Sequence, residues 1–172
     1  MSVSISFSDR GAKKHAQTLR ELGSYDLMIG VQGRSGAKIY PNRKQEINVA
    51  SVAYYQEFGT KAINSRSFLR RTMFERRRAI EKSLERAARK AVETGNVLRS
   101  LSEAGEEIVE MVRTTILSSR GWAKPNAPST VAKKGFDWPL VETGLLSEES
   151  ISYTIRTKAG QVVISGSSLS GQ

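Results

Sequence analysis

Few residues in this chain have the types and spacing that catalysis requires. The only histidine, His15, follows Lys13 and Lys14 on a predicted short helix. Nucleophilic and acid-base sites commonly depend on a histidine, but this position is more typical of a solvated helix surface. Cysteine is absent, which excludes disulfides and cysteine-ligated zinc. We therefore expect no enzymatic activity, no metal site and no cofactor.

Two other motifs suggest chemistry but lack its full pattern. Residues 30–38, GVQGRSGAK, follow a predicted strand, but a phosphate-binding loop needs adjacent Gly-Lys and then Ser or Thr at a helix start. Here Ala37 separates Gly36 from Lys38, which favours a flexible turn. The second motif is a run of acids at helical spacing: Glu103, Glu106, Glu107 and Glu110. Paired carboxylates can bind metals or act as acid and base. No histidine or aspartate lies close to these residues in sequence, so a solvated helix face is the better interpretation.

The strongest non-random feature is a basic segment. Residues 66–93 contain ten basic and four acidic residues, and the whole chain has a formal net charge of +10. Such a charge favours a polyanionic neighbour, which can be nucleic acid, a membrane surface or an acidic protein face. Its arginines, interleaved with Phe68 and Phe74, could bind phosphates and stack on bases. The alternative is that they face water or pair with Glu75, Glu81 and Glu85 at helical spacing.

Periodicity predicts an α+β domain. Alternation of Val3, Ile5 and Phe7 with serines indicates a strand, and further strands are predicted over 25–32, 151–157 and 160–166. Helices are predicted from about residue 10 to 22, 49 to 58, 67 to 94 and 97 to 118. We expect a small antiparallel or mixed sheet of about four strands, packed against a long helical hairpin. This single domain covers residues 1–166, and 167–172 form a polar tail.

The helical stripes predict which side chains are buried. The first helix places Ala12, Ala16, Leu19 and Leu22 on one stripe. The last helix directs Leu101, Ala104, Ile108, Val112 and Ile116 inward. The 67–94 helix has one apolar stripe, in which we expect Leu84 to lie in the hairpin core: Leu69, Met73, Ile80, Leu84, Ala87, Ala88 and Ala91.

Two long polar segments are predicted as loops. Residues 33–46, GRSGAKIYPNRKQE, and residues 120–140, RGWAKPNAPSTVAKKGFDWPL, are too irregular to be stable alone. We expect both to become ordered against neighbouring subunits. Trp122 and Trp138 are the candidate anchors, because large aromatic side chains dominate interface energetics.

Two groups of motifs carry a resemblance to a protein family. The first is residues 52–71, VAYYQEFGTKAINSRSFLRR, with Glu-Phe-Gly-Thr at 57–60 and then Arg66, Phe68, Leu69 and Arg70. The second comprises Pro-Ser-Thr at 128–130, Lys134-Gly135, PLVETGL at 139–145, and Ser150-Ile151. Together they span about residues 52–154. The chain resembles the small neck and tail-completion proteins of tailed bacteriophages.

The resemblance implies a structural virion protein rather than an enzyme. Such proteins form homo-oligomeric rings, here expected to be six-fold, between the head connector and the tail tube, and they complete or terminate the tail. DNA passes through the ring without sequence-specific binding, no membrane is involved, and the protein is made in the host cytoplasm. The alternative is a basic nucleic-acid-binding protein that acts outside the virion. The expected subunit or ring interface residues are Phe58, Gly59, Thr60, Arg66, Phe68, Arg70, Arg71, Trp122 and Trp138.

The physical chemistry of the first motif predicts an element that serves both the fold and an interface, and the alternative is a mainly structural corner. Gly59 allows the helix to end in a left-handed conformation, so that the chain can turn sharply. Phe58 and Phe68 are expected to bracket this turn. Arg66, Arg70 and Arg71 would then pair with carboxylates of a neighbouring subunit or ring, because a guanidinium suits bidentate pairing. The alternative is that the basic helix faces the DNA channel of the ring.

Overall fold

This computed structural model describes residues 10–40 and 46–166. The helices are α1 (Arg10–Leu22), α2 (Gly33–Ala37), α3 (Val49–Phe58), α4 (Phe68–Glu75), α5 (Arg77–Thr94), α6 (Val97–Leu117) and α7 (Pro128–Lys134). The strands are β1 (Tyr25–Val31), β2 (Ile151–Thr157) and β3 (Val162–Gly166). A 3-10 turn, Ser118–Gly121, follows α6, and a π-helical turn, Leu145–Glu149, precedes β2. The fold is α+β, as predicted.

The three strands form an antiparallel sheet in the order β1-β2-β3. Alternation along β2 buries Ile151, Tyr153 and Ile155 on the face that packs against α6. The β2–β3 hairpin confirms the prediction for the C-terminal strands. The strand predicted over residues 3–7 and the polar tail over 167–172 lie outside the described residues.

The outer end of the sheet carries an ion-pair group. Asp26 of β1 bonds to Lys158 in the turn after β2, and it lies 3.7 Å from Nε of Arg156. The hydrogen bond from Lys158, with the charge of Arg156 beside it, lowers the pKa of the Asp26 carboxyl below its ordinary value.

Helix α6 is the centre of the core. Its predicted inward positions are all buried: Leu101, Ala104, Ile108, Val112 and Ile116. The sheet approaches this helix so closely at Gly105 that a Cβ there would lie 2.6 Å from the ring of Tyr153. The apolar period of α6 therefore identified its buried face correctly, and a glycine within the helix admits the aromatic ring.

The prediction of one helix over residues 67–94 is wrong. The chain leaves helical geometry at Arg76, with φ −103° and ψ 15°, so α4 and α5 are separate helices. Both pack against α6. Gly95, in the left-handed conformation at φ 72°, ends α5, and α6 begins two residues later. A break within a basic run has no sequence signal, because arginine is a good helix former.

The apolar stripe of α4 and α5 is buried only in part. Ile80, Ala87 and Ala91 are buried, but Met73 and Leu84 are each 39% exposed. The expectation that Leu84 lies in the helical core is therefore wrong. Leu84 lines an open groove beside β1.

Helix α1 is mostly solvent-exposed. Its stripe was predicted to be buried, but Leu19 is 53% exposed, and only Leu22 of that stripe packs against the core. Thr18 is buried instead, and its hydroxyl donates to the carbonyl of Lys14. The helix contacts α5 along one side, so its orientation is set by that packing rather than by its own apolar stripe.

Both predicted loops contain ordered structure. In the described part of 33–46, α2 is followed by Tyr40, which is 4% exposed and whose N–H donates to the carbonyl of Ile47 at 2.8 Å. Residues 41–45 lie outside the description. In 120–140, α7 begins with Pro128 and ends before Gly135, which are ordinary helix start and stop residues. The described parts of both segments therefore make contacts within the protomer, and the expectation that they become ordered against neighbouring subunits stays a prediction.

Candidate interface site

The 57–71 motif forms a sharp corner between α3 and α4. Helix α3 ends at Gly59, whose N–H donates to the carbonyl of Tyr55 at 2.8 Å. Gly59 has the predicted positive φ of 77°, but its ψ of 176° lies outside the left-handed helical region. A Cβ on this residue would lie 2.9 Å from the backbone N of Ser65. The corner therefore requires glycine for both conformation and space.

Thr60 shapes the loop after the glycine. Its N–H donates to the carbonyl of Ile63 at 2.9 Å, and its hydroxyl accepts from the N–H groups of Ala62 and Ile63 at 3.2 and 3.0 Å. These are local turn bonds, which satisfy the backbone without help from a partner. The predicted interface residues Gly59 and Thr60 thus hold the shape of the corner.

Glu57 is the centre of the corner, although it was not among the predicted interface residues. Its side chain is buried, and its carboxylate accepts from the backbone N–H groups of Leu69 at 2.9 Å and Arg70 at 3.1 Å. These are two of the unsatisfied donors in the first turn of α4. A carboxylate at a helix N-terminus also interacts favourably with the helix dipole. Glu57 therefore joins the end of α3 to the start of α4.

The sequence around Glu57 gives one indication of its capping role. It is the only acid between Glu46 and Glu75, a stretch with four bases, and it is the only charged residue of α3. A lone carboxylate facing a helix that begins with arginines is a candidate for a long-range cap. The sequence separation of 12 and 13 residues, however, does not by itself bring these groups together.

Arg66 also makes its hydrogen bonds within the protomer. It is 7% exposed, and it donates to Gln56 Oε1 and to the carbonyls of Lys124 and Pro125 at 2.9 to 3.0 Å. Burial lowers the pKa of its guanidinium, and the charge of Asp137 opposes that effect. Arg66 therefore fastens the 120–140 segment to the corner, and we leave it out of the proposed interface.

Arg70 lies on the outside of the same corner. Its side chain is 60% exposed, and Nε donates to Glu57 Oε1 at 3.0 Å. Its guanidinium also covers the ring of Phe58 at 5.0 Å, and Phe58 stacks on Tyr54 with ring centroids 4.8 Å apart. Phe58 is 56% exposed and Tyr54 is 59% exposed. The predicted bracket of two phenylalanines is wrong, because Phe68 is fully buried in the core while Phe58 faces solvent.

The exposed surface continues from Arg70 along α4. Phe74, one turn further on, is 85% exposed. An open cleft of about 490 Å³ joins Arg70 and Phe74 to Met73 and to Ile29 of β1. We call the surface made by Tyr54, Phe58, Arg70 and Phe74 the aromatic–arginine surface.

The two tryptophans fasten the 120–140 segment to α6. The indole Nε1 groups donate to the carbonyls of Thr115, at 3.0 Å from Trp122, and Leu117, at 3.1 Å from Trp138. These carbonyls belong to the last turn of α6, where helical partners are missing. Arg71 covers the ring of Trp122 at 4.7 Å. Both indoles are half-buried, so each serves the protomer and retains some exposed surface.

Most charges of the basic segment are paired within the protomer. Ion pairs at helical spacing join Arg71 to Glu75, Arg77 to Glu81 and Arg89 to Glu85. Further pairs connect α5 to α6, namely Arg86 with Glu107 and Lys90 with Glu103. The hydrogen bond from Lys90 lowers the pKa of Glu103. The prediction that these arginines pair with acids at helical spacing is confirmed for three of them.

The motifs considered for chemistry do not form a reaction centre. His15 is exposed on α1, Gly33–Ala37 forms a five-residue helix rather than a phosphate loop, and Glu103 and Glu107 are engaged with cations of α5. Across residues 10–40 and 46–166, no cluster of three metal-binding side chains occurs. In that same part of the chain, no helix has the length and apolar character to cross a membrane.

Comparison with family models, with curated proteins and with solved structures yields no match. The resemblance to phage neck proteins therefore rests on the sequence motifs alone.

Proposed function

We propose that this chain is a structural protein of the neck of a tailed-bacteriophage virion. It assembles as a homo-oligomeric ring that completes or terminates the tail and joins it to the head connector. The observation that supports this proposal is the aromatic–arginine surface, because Tyr54, Phe58 and Arg70 belong to the 52–71 motif that carries the family resemblance and Phe74 follows one turn later. The proposed role is mechanical, so it requires no catalytic group and no cofactor.

The composition of this surface is that of a protein-binding site. Aromatic residues and arginine are enriched at interfaces, and they supply most of the residues whose truncation weakens binding strongly. Phe74 is the most exposed large apolar side chain in the described residues, at 85%. Burying such a ring against a partner gains about 1.5–3 kcal/mol of hydrophobic free energy.

The corner holds this surface in a fixed shape. Arg70 is bound through Glu57 and stacked on Phe58, so its guanidinium loses little further freedom when it meets a partner. Preorganised groups bind more tightly, because less conformational entropy is lost on association. In this proposal Phe58 and Arg70 contact the partner, while Gly59, Thr60, Arg66 and Phe68 hold the corner.

Genetic complementation in an infected host tests the proposal. In an infection with phage that lacks the protein, electron micrographs should show separate filled heads and finished tails. Phe74→Ser should fold normally but fail to restore joined virions. Phe136→Ser is the matched control, since Phe136 is a partly exposed phenylalanine outside this surface. Normal joined virions in the absence of the protein would contradict the proposed function.

A second candidate function is nucleic-acid binding outside the virion. It is favoured by Arg78 and Lys82, one turn apart on α5, which are exposed and have no ion-pair partner among the described residues. A binding protein of this kind should shift DNA as a small species, with an affinity that falls steeply with salt. If this second function holds, the double variant Arg78→Glu/Lys82→Glu should abolish the DNA shift. If the neck proposal holds, the same variant should leave head–tail joining intact.

A further inference from the structure

An apolar groove runs between β1 and the helices α4 and α5. It has a volume of about 490 Å³ and is lined by side chains that include Leu22, Leu27, Ile29, Met73, Ile80 and Leu84. Asp26 is the only charged residue among the described residues that line it. The groove lies beside an edge strand, because β1 pairs with β2 on one side only in the described sheet.

The backbone of β1 directs hydrogen-bonding groups into this open edge. Lys158 N–H donates to the carbonyl of Ser24, while Thr157 N–H donates to Gln161 on the β3 side. Because the bonding side alternates along a strand, the even-numbered residues of β1 bond to β2. The N–H and C=O groups of Tyr25, Leu27 and Ile29 therefore point away from β2, the strand that pairs with β1 in the described sheet, and they make no backbone bond to a turn, loop or cap among the described residues.

A strand added at this edge would place alternate side chains in the groove. Its inward positions must be apolar and spaced by two residues, because strand side chains alternate between faces. Residues 2–8, SVSISFS, have this pattern, with Val3, Ile5 and Phe7 separated by serines. We propose that residues 2–8 of a second copy of this chain pair with β1 as a strand and insert Val3, Ile5 and Phe7 into the groove.

The donor must be a second copy because the chain's own segment cannot reach. Leu22, at the end of α1, lies at the groove with Leu84, whereas Lys14 lies at Gly95, with its Cε 3.7 Å from the position of an added Cβ. At 1.5 Å per residue, the eleven residues from Leu84 to Gly95 span about 16 Å, and Arg10 lies about 6 Å further along α1. Arg10 is therefore about 22 Å from the groove. An extended chain advances at most about 3.6 Å per residue, so Phe7, three residues before Arg10, is limited to about 11 Å from it, and Ile5 to about 18 Å.

The chain's own Ile5 and Phe7 are therefore too close in sequence to the start of α1 to meet Leu27 and Ile29. A neighbouring copy has no such restriction. Exchange of a strand from each subunit to the next is a head-to-tail contact, which closes into a ring when the rotation allows. The inference therefore rests on the self-association that the proposed function requires, but not on the phage context.

Cysteine cross-linking tests the exchange, because the natural chain has no cysteine. Chains with Ile5→Cys are mixed with chains that carry Leu27→Cys or Ile29→Cys, and oxidised at a concentration at which the protein sediments as an oligomer. A disulfide needs Cβ atoms within about 4.5 Å, so one of these mixtures should give a covalent dimer of unlike chains. Met28→Cys is the matched control, since its side chain faces the opposite side of β1 and should give none.

Three results would overturn the inference. The first is an oligomer that gives no cross-link in either mixture. The second is a chain with both Ile5→Cys and Leu27→Cys whose disulfide forms only within the same chain. The third is a protein that stays monomeric at every concentration. In addition, Ile5→Asp should weaken self-association by at least about tenfold, because a charge would enter the groove. Ser4→Asp, on the opposite face of the same segment, should change it by less than about twofold.

The inference and the proposed function can fail separately. An oligomer that joins heads to tails without the cross-link would refute strand exchange alone. A cross-linked oligomer that plays no part in head–tail joining would support strand exchange and refute the neck role.

Discussion

Replacing Glu57 by alanine should destabilise the protomer strongly. The carboxylate is 4% exposed and accepts two backbone N–H groups at the start of α4, as well as Nε of Arg70. Alanine would leave both N–H groups without their acceptor in a buried site. It would also remove the acceptor of the Arg70 Nε group. The guanidinium would keep its bonds to the carbonyl of Glu57 and to Oγ of Ser67, so the aromatic–arginine surface would lose only part of its fixed shape.

The expected magnitude follows from these contacts. Loss of a helix-capping side chain costs about 0.5–2 kcal/mol, and a hydrogen bond to a charged group contributes about 1.5–3 kcal/mol. The pair with Arg70 adds little, because that side chain is 60% exposed and exposed ion pairs contribute about 0–1 kcal/mol. We therefore expect Glu57→Ala to lower the free energy of unfolding by about 3 kcal/mol. Glu57→Gln keeps one acceptor oxygen and should lose about half of that.

Urea denaturation at a low protein concentration measures this effect, since self-association would otherwise add to the apparent stability. The midpoint should fall while the slope stays constant, which indicates a change in stability rather than in compactness. Glu106→Ala is the control, because Glu106 is an exposed acid on α6 and should change the free energy by less than about 0.5 kcal/mol. Equal stabilities of the Glu57→Ala and Glu106→Ala variants would refute the capping role.

Three further predictions concern single residues. Gly59→Ala should destabilise the protein by more than about 2 kcal/mol in urea denaturation. Gly135→Ala, where an added Cβ meets open space, should cost only about 1 kcal/mol. Equal losses would contradict the close approach at Gly59. Phe68→Ala should cost about 3–5 kcal/mol because the ring is fully buried, and Phe74→Ala should stay within about 0.5 kcal/mol; the reverse order would show that the corner is packed differently. The lowered pKa of Asp26 means that its contribution is present above the ordinary carboxyl pKa and is lost as the pH falls through the folded value. The stability difference between the natural chain and Asp26→Asn should therefore shrink from neutral pH to about pH 3, and a constant difference would contradict the ion pairs.

The sequence was sufficient for features that depend on local periodicity. The period of α6 identified all five of its predicted buried positions, and alternation identified the β2–β3 hairpin. Gly59 was identified as the end of α3, because few other residues tolerate a positive φ. These predictions succeeded because the relevant interactions lie within a few residues of one another along the chain.

Tertiary structure decided which side chains of the 57–71 motif are available. Arg66 and Arg70 are four residues apart and chemically identical, yet one is buried among backbone carbonyls and the other covers an exposed ring. The same holds for Phe68 and Phe74, which are 0% and 85% exposed. Helical spacing places Phe68 and Phe74 on different faces of α4, but it does not show which face is buried, because the partners that bury a residue come from distant segments.

The sequence by itself determined the α+β class, the helices α1, α3 and α6, the three described strands, and the position of the sharp corner at Gly59. Only the tertiary structure decided that α4 and α5 separate at Arg76, that Leu84 borders an open groove, and that Glu57 caps a helix 12 residues away. The physical reason is that hydrogen bonding and apolar period within an element are set by neighbouring residues. Burial and capping between elements depend instead on how whole helices pack around α6.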